Sequence, residues 1–97
     1  MEYQALINDL NTGKIQGFRF SVKNYGHYRN CVIKRVNEIM PNGKVVTLIL
    51  AKLTEDGAEK ISYFSDFNDA HKIFNMGRKG KFTLKEIWDR IEILEIF

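Results

Sequence analysis

The pattern of apolar and polar positions is best defined between residues 30 and 66, where turn signals separate apolar segments at regular spacing. Two turn signals interrupt this stretch, Met40-Pro41-Asn42-Gly43 and Thr54-Glu55-Asp56-Gly57. Each signal places glycine where a tight hairpin turn favours a positive φ, and the first also has proline at the second turn position. The pattern therefore predicts a three-strand antiparallel meander of residues 30–40, 44–54 and 58–66.

The turns also predict a register for this meander. If Met40 pairs with Lys44 and Thr54 with Ala58, both faces of the middle strand become partly apolar. One face stacks Val36, Leu48 and Phe64, and the other stacks Ile33, Ala51 and Ile61. A strand covered on both sides is typical of a small barrel, or of a curled sheet with a helix on one face.

A helix is the alternative for residues 28–40. Six apolar positions there also follow helical spacing: Tyr28, Cys31, Val32, Val36, Ile39 and Met40. In that case the fold is α+β, with this helix packed on the sheet. Three of the six residues are β-branched and Pro-Asn-Gly suits a hairpin, so the pattern favours the strand.

The remaining segments add strands at both ends and helices late in the chain. Residues 2–7, 15–22 and 91–97 are predicted as strands, and the last is expected in the sheet interior. Residues 67–76 are predicted as a short helix, and Thr83-Leu84-Lys85-Glu86 is a capping-box pattern that opens a second helix through Trp88. The fold class is therefore mainly β (a β-rich α+β domain): a small antiparallel barrel or strongly curled sheet of five or six strands, with two short helices near the C-terminus.

Composition restricts the class of protein. The 97 residues suffice for one domain, 1–97, and 44% of them are hydrophobic and 28% charged, which argues against a largely disordered chain. One cysteine is too few for a disulfide framework or a cysteine-based zinc site. We see no targeting segment and no apolar run of about 20 residues, so we expect a cytoplasmic protein without a membrane contact.

The net charge of +3 conceals two strongly basic segments. Residues 10–37 contain six basic and no acidic residues, and residues 70–85 contain five basic and none acidic. Charge segregation on this scale favours an acidic partner, which is either a nucleic acid or an acidic protein surface.

Particular side chains in these segments are candidates for that contact. Strand alternation predicts that Phe18 and Phe20 are buried while Arg19 is exposed. Tyr25 and Tyr28 flank Gly26 in a predicted loop and are candidates for base stacking, although tyrosines in such positions also commonly cover the edge of a core. The Gly77-Arg78-Lys79-Gly80-Lys81 loop lacks the residues of a P-loop but suits phosphate contacts. The predicted nucleic-acid or anion site consists of Arg19, Lys23, Tyr25, Tyr28, Arg29, Arg78, Lys79 and Lys81.

The sequence offers no convergent catalytic or metal-binding set. His27 and Cys31 are too far apart if they lie on one strand, and His71 has no metal-ligand spacing with a second ligand. We therefore expect no catalytic residues, no metal and no cofactor. The predicted function is a non-enzymatic module that binds DNA or RNA phosphates through segments 10–37 and 70–85. The alternative is a small regulator or inhibitor that binds an acidic protein surface. An exposed sheet edge would also be compatible with a homodimer.

Overall fold

An open antiparallel sheet forms the frame of the protein. The computed structural model describes residues 2–24 and 27–97, and within them the order across the sheet is β4-β3-β2-β1-β7. A separate two-stranded ribbon pairs β5 with β6. In chain order the elements are α1 (Tyr3–Thr12), β1 (Gly17–Val22), β2 (Cys31–Ile39), β3 (Val45–Glu55), β4 (Ala58–Phe64), β5 (Phe74–Asn75), β6 (Lys81–Phe82) and β7 (Ile91–Ile96). The mainly β prediction is confirmed, whereas the closed barrel is wrong because β4 and β7 end the sheet as separate edges.

The N-terminal segment is a helix, so the predicted strand at residues 2–7 is wrong. Buried positions recur three and four residues apart along α1, namely Tyr3, Leu6, Ile7 and Leu10. That spacing puts all four on one face of a helix, and this face packs into the core. Gly13 ends the helix in a left-handed conformation with φ of 83°, and its N–H donates to the Leu10 carbonyl. At ten residues α1 is too short to cross a membrane, and the described residues contain no longer apolar helix.

The core lies on one face of the sheet. Phe18 and Phe20 of β1 are fully buried there, as the strand alternation predicted, and they meet Ile33 of β2 and Ala51 of β3. Side chains of α1 and of the segment after β4, including Phe67, Phe74 and Leu84, cover this face. The opposite face, which we call the outer face, carries Arg19, Lys34, Leu48, Leu50 and Tyr63 and has no covering layer among the described residues.

Residues 31–39 form a strand, so the helical alternative for residues 28–40 is wrong. The Pro-Asn-Gly turn closes the β2–β3 hairpin as predicted, because the Met40 N–H donates to the Lys44 carbonyl at 2.8 Å. The predicted pairing of Val36 with Leu48 is confirmed.

The second turn differs from the prediction by one residue. Glu55, not Thr54, pairs with Ala58, leaving a two-residue loop of Asp56 and Gly57 with φ of 50° and 81°. Two successive positive φ values are the signature of a type I′ turn, for which Asp-Gly is well suited. The shift moves every β4 side chain to the other face, so Phe64 stands opposite Ile49 and not Leu48.

The β2–β3 hairpin extends beyond its neighbours. β1 pairs with β2 only as far as Lys34, and β4 pairs with β3 only as far as Ile49. Residues 35–39 and 45–48 therefore form a two-stranded arm without a flanking strand. Ile39 near the tip is 76% exposed.

The two helices predicted near the C-terminus are wrong. Residues 67–76 run as a turn and an extended segment ending in β5, in part because the Asn68 side chain accepts a hydrogen bond from the Ala70 N–H and closes a local turn. At 83–88 the capping box does form: the Thr83 N–H donates to the Glu86 carboxylate, and the Glu86 N–H donates to the Thr83 hydroxyl. Only turns and a short 3-10 segment, Trp88–Arg90, follow it. β7 is an edge strand beside β1, not an interior one.

Candidate anion-binding cleft

A cleft opens beside β4, on the core side of the sheet. Its volume is about 340 Å³, at the lower end of the ~300–1,000 Å³ of ordinary ligand pockets. The wall on one side is β3 and β4, and on the other side it is the segment 70–73 with the ends of β5 and β6. The lining residues are Ala51, Leu53, Lys60, Ser62, Phe64, Ala70, His71, Lys72, Ile73, Asn75 and Lys81.

Three lysines converge on this cleft from distant parts of the chain. Lys60 comes from β4, Lys72 from the extended segment before β5, and Lys81 from β6. Among the described residues the lining contains no carboxylate, and none of the three ammonium groups has an ion pair within 4.0 Å. The cleft is therefore a site of concentrated positive charge, which attracts anions.

The register of β4 places Lys60 in the cleft. With Glu55 opposite Ala58, the side chains of Lys60, Ser62 and Phe64 point to the core side, beside Leu53 and Ala51 of β3. The predicted register would have put Lys60 on the outer face, which is why sequence reasoning missed it. The Asp56-Gly57 pair could have indicated the correct register, because Asp-Gly is most favourable as the two-residue loop of a hairpin.

Tyr28 fixes the position of β5 and hence of Lys81. The Tyr28 hydroxyl accepts a hydrogen bond from the Asn75 N–H at 2.9 Å and lies 3.1 Å from the Asn75 carbonyl, to which it donates. Asn75 in turn pairs with Lys81 across the β5–β6 ribbon. Burial raises the pKa of the Tyr28 hydroxyl above its usual value, although the hydrogen bond to the Asn75 backbone opposes this effect.

An aromatic pair lines the cleft beside the lysines. The rings of Phe64 and His71 lie 4.1 Å apart between centroids with an interplanar angle of 31°. His71 Nε2 is also 3.3 Å from the Asp66 carbonyl oxygen. These contacts hold the 70–73 segment against β4, so one wall of the cleft is aromatic.

The two tyrosines proposed for stacking have different outcomes. Tyr28 is 1% exposed and its ring packs edge-to-face on Phe74 at 5.5 Å, so it is a core residue and its ring is not accessible to a base. Tyr25 lies outside the described residues.

The predicted cations are spread over several surfaces. Arg19 lies on the outer face, where its Nε is 2.8 Å from the Glu95 carboxylate, a half-exposed pair. Lys23 follows β1 and Arg29 precedes β2, so both lie at the same end of the sheet. Arg78 and Lys79 are exposed in the 3-10 segment Gly77–Lys79. Of the predicted residues that the structure describes, only Lys81 lines the cleft.

The two basic segments approach each other at one end of the sheet, where the charge is mixed. Gly77 and His27 line one shallow hollow there, but Glu55 and Asp56 line it as well. Another member of the first segment, Arg35, has a structural role: its Nη1 donates to the Leu10 and Asn11 carbonyls at 3.0 Å and caps the C-terminus of α1. The cleft is consequently the more uniform cationic site.

Within the part of the chain that the structure describes, no group of three histidine, cysteine, aspartate or glutamate side chains is arranged to hold a metal ion. Cys31 is fully buried, and this burial raises the pKa of its thiol.

Comparison with known proteins gave no match to a family model, to a curated protein or to a solved structure.

Proposed function

We propose that the protein is a non-enzymatic binding module that contacts nucleic-acid phosphates through the cleft of Lys60, Lys72 and Lys81. The observation that carries this proposal is the convergence of three lysines on one cleft whose described lining holds no carboxylate. Lysine binds phosphate as a point charge on a flexible stem, and each contact adds affinity that depends on salt but not on base sequence.

The electrostatics of the cleft favour a polyanion. Three unpaired ammonium groups around one cleft repel each other, and a phosphate placed between them relieves this repulsion. A nucleic acid presents regularly spaced phosphates, so neighbouring cations outside the cleft also contribute. Arg78 and Lys79 are available for this, because they are exposed on the loop that joins β5 to β6.

The test is a fluorescence-anisotropy titration of single-stranded DNA, duplex DNA and RNA at about 50 and about 200 mM salt, the range over which phosphate contacts lose most of their affinity. The variant carries Lys60→Gln, Lys72→Gln and Lys81→Gln. The matched control carries Lys14→Gln, Lys34→Gln and Lys44→Gln, three lysines outside the cleft. Both variants lower the net charge of +3 by the same amount.

We expect the cleft variant to bind far more weakly than the control. If each lysine contacts one phosphate, the slope of log affinity against log salt falls by about 2 on single strands and by nearly 3 on duplex DNA. Equal effects of the two variants would mean that only net charge matters and would contradict the cleft. Absence of binding at the lower salt, together with a complex with an acidic protein, would favour the alternative of a protein-binding regulator.

A further inference from the structure

The lysine cleft also contains two aromatic rings in contact with each other. Phe64 and His71 are both partly buried, and both line the cleft. Phe67 is 1% exposed and supports both rings from the core. Its ring centroid lies 5.8 Å from that of Phe64, in edge-to-face geometry, and 5.7 Å from that of His71. The core therefore holds the two rings in place, while part of their surface remains open to the cleft.

Two small side chains leave room beside these rings. Ala51 of β3 pairs directly with Ser62 of β4, and both residues line the cleft. Side chains two residues apart share one face of a strand at a spacing of about 7 Å, so Ser62 lies between Lys60 and Phe64 on β4. A larger side chain at position 62 would occupy the space between the ammonium group and the ring.

A positive charge also lies beside the rings on the other wall of the cleft. Lys72 directly follows His71 in the extended segment before β5, and both side chains line the cleft. Proteins that bind single-stranded nucleic acids combine cations, which follow the phosphates, with aromatic rings, on which the bases stack. The cleft contains both kinds of group.

We infer that the cleft accepts an unpaired base of a single strand, which stacks on the rings of Phe64 and His71 while the cleft lysines hold the adjacent phosphates. This inference rests on the proposed function and names its substrate class, which is single-stranded and not duplex nucleic acid. Neighbouring bases cover both faces of a base inside a duplex, so a base must leave the duplex before it stacks on a protein ring. Every base has an aromatic face, so stacking of this kind tolerates all sequences.

The first test uses the unmodified protein and two strands that carry the same number of phosphates. One is a fluorescent oligothymidylate, and the other is a strand of equal length in which abasic sites replace the nucleotides. We expect the oligothymidylate to bind roughly 5- to 100-fold more tightly at about 50 mM salt, which corresponds to the stacking of one base. A contact with phosphates alone predicts equal affinities.

The second test removes the ring or the space without changing the lysines. His71→Leu removes one ring, and Ser62→Leu fills the space beside Phe64. Tyr63→Leu is the matched control, because this aromatic residue precedes Phe64 on β4 but is 53% exposed on the outer face. Measurements at about pH 8, where histidine is ordinarily uncharged, keep the charge of the cleft constant.

We expect His71→Leu and Ser62→Leu to lower the affinity for oligothymidylate towards that for the abasic strand. Binding of the abasic strand and of duplex DNA should stay unchanged in both variants, since these ligands depend on the lysines alone. An unchanged affinity for the abasic strand also shows that a variant is folded. An equal loss of oligothymidylate binding in Tyr63→Leu would overturn the inference.

The outcomes separate this inference from the proposed function. Equal affinities of the unmodified protein for the two strands would overturn base stacking and leave the phosphate contact intact, whereas no binding of either strand would overturn both. Thymidine monophosphate, which has the same base and a phosphate, is the competitor that tests for a free nucleotide. We expect it to compete only at far higher concentration, because it lacks the neighbouring phosphates. Competition at the concentration of the strand would assign the cleft to a free nucleotide and overturn the inference.

Discussion

At the scale of single residues, two buried tyrosines connect the covering segments to the rest of the fold. Tyr3 of α1 donates a hydrogen bond to the Asp69 carboxylate at 2.6 Å, and Tyr28 bonds to Asn75 of β5. Burial and the neighbouring carboxylate raise the pKa of Tyr3 above the usual tyrosine range, and burial raises that of Tyr28. Both hydroxyls are therefore harder to deprotonate in the folded protein than in the unfolded chain.

These raised pKa values predict alkaline destabilisation. In the unfolded chain the two tyrosines lose their protons around pH 10, whereas in the folded protein they lose them only at a higher pH. The stability that the two tyrosines contribute is thus fully present below about pH 10 and falls as the pH rises above it, by up to about 1.4 kcal/mol per pH unit for each tyrosine. The buried Cys31 thiol, whose pKa is also raised, acts in the same direction from about pH 9. Urea unfolding between pH 9 and about 11.5 measures the slope.

Tyr3→Phe keeps the ring and removes one of the three groups whose pKa burial raises (Tyr3, Tyr28 and Cys31), so the loss of stability per pH unit above pH 10 should become smaller but not vanish. Tyr63→Phe is the matched control, because Tyr63 is exposed on the outer face. An unchanged slope in Tyr3→Phe would show that Tyr3 does not couple folding to pH.

Sequence patterns predicted single residues well where only one physical rule applied. Alternation along β1 correctly buried Phe18 and Phe20 and pointed Arg19 outward. The role of Tyr28 was ambiguous in the sequence, because tyrosine has an apolar ring and a polar hydroxyl. A tyrosine in the core and a tyrosine that binds a ligand therefore occur in the same sequence pattern. The hydrogen-bond partner of Tyr28, Asn75, lies 47 residues away in the sequence, and no local sequence pattern predicts that contact.

At the scale of elements, the β3–β4 turn determines which side chains reach the cleft. Gly57 has φ of 81° and follows Asp56 at 50°. Gly57→Ala strains this turn and should destabilise the protein by about 1 kcal/mol. Asp56→Asn is the matched control, because asparagine tolerates the left-handed conformation and should leave stability unchanged or slightly increased. Thermal unfolding of both variants is the measurement, and equal stability losses would contradict the type I′ turn.

The same turn explains why the strands were predictable and the cleft was not. All three strands of the meander were located correctly within two residues, because the two glycine-containing turn signals mark where the strands end. A loop one residue shorter than predicted nevertheless moved Lys60 to the other face, since side chains alternate with a period of two. The capping box at 83–86 shows a related limit: its hydrogen bonds form, but the core and not the local signal decides how far a helix continues.

At the scale of the whole molecule, parts of the sheet differ in how many neighbouring strands they have. Residues 49–52 of β3 have a neighbouring strand on both sides, whereas the arm of residues 35–39 and 45–48 has none outside its own pair. A two-stranded ribbon alone is marginally stable in water. Ile39 and Val45 near its tip are 76% and 59% exposed, so little burial compensates.

We therefore expect amide hydrogen exchange to distinguish the arm from the body of the same two strands. Amides of residues 45–48 should exchange much faster than those of residues 49–52, because local opening of the arm does not require global unfolding. Both groups of amides belong to one continuous strand, so differences in stability between separate strands do not affect the comparison. Equal protection along β3 would mean that the arm is as stable as the sheet.

The pairing of β1 with β7 has a consequence for synthesis of the chain. β1 ends at Val22 and its partner begins at Ile91, 69 residues later. At ribosomal rates of about 5–20 residues per second, β1 waits roughly 3–14 s for that partner. Throughout this interval one side of a strand that carries Phe18 and Phe20 is open in the nascent chain. The residues of β2, β3 and β4 have by then already been synthesised, so the last step of sheet formation joins two segments that are distant in sequence. Until that step, the exposed edge of β1 makes the nascent chain most prone to aggregation.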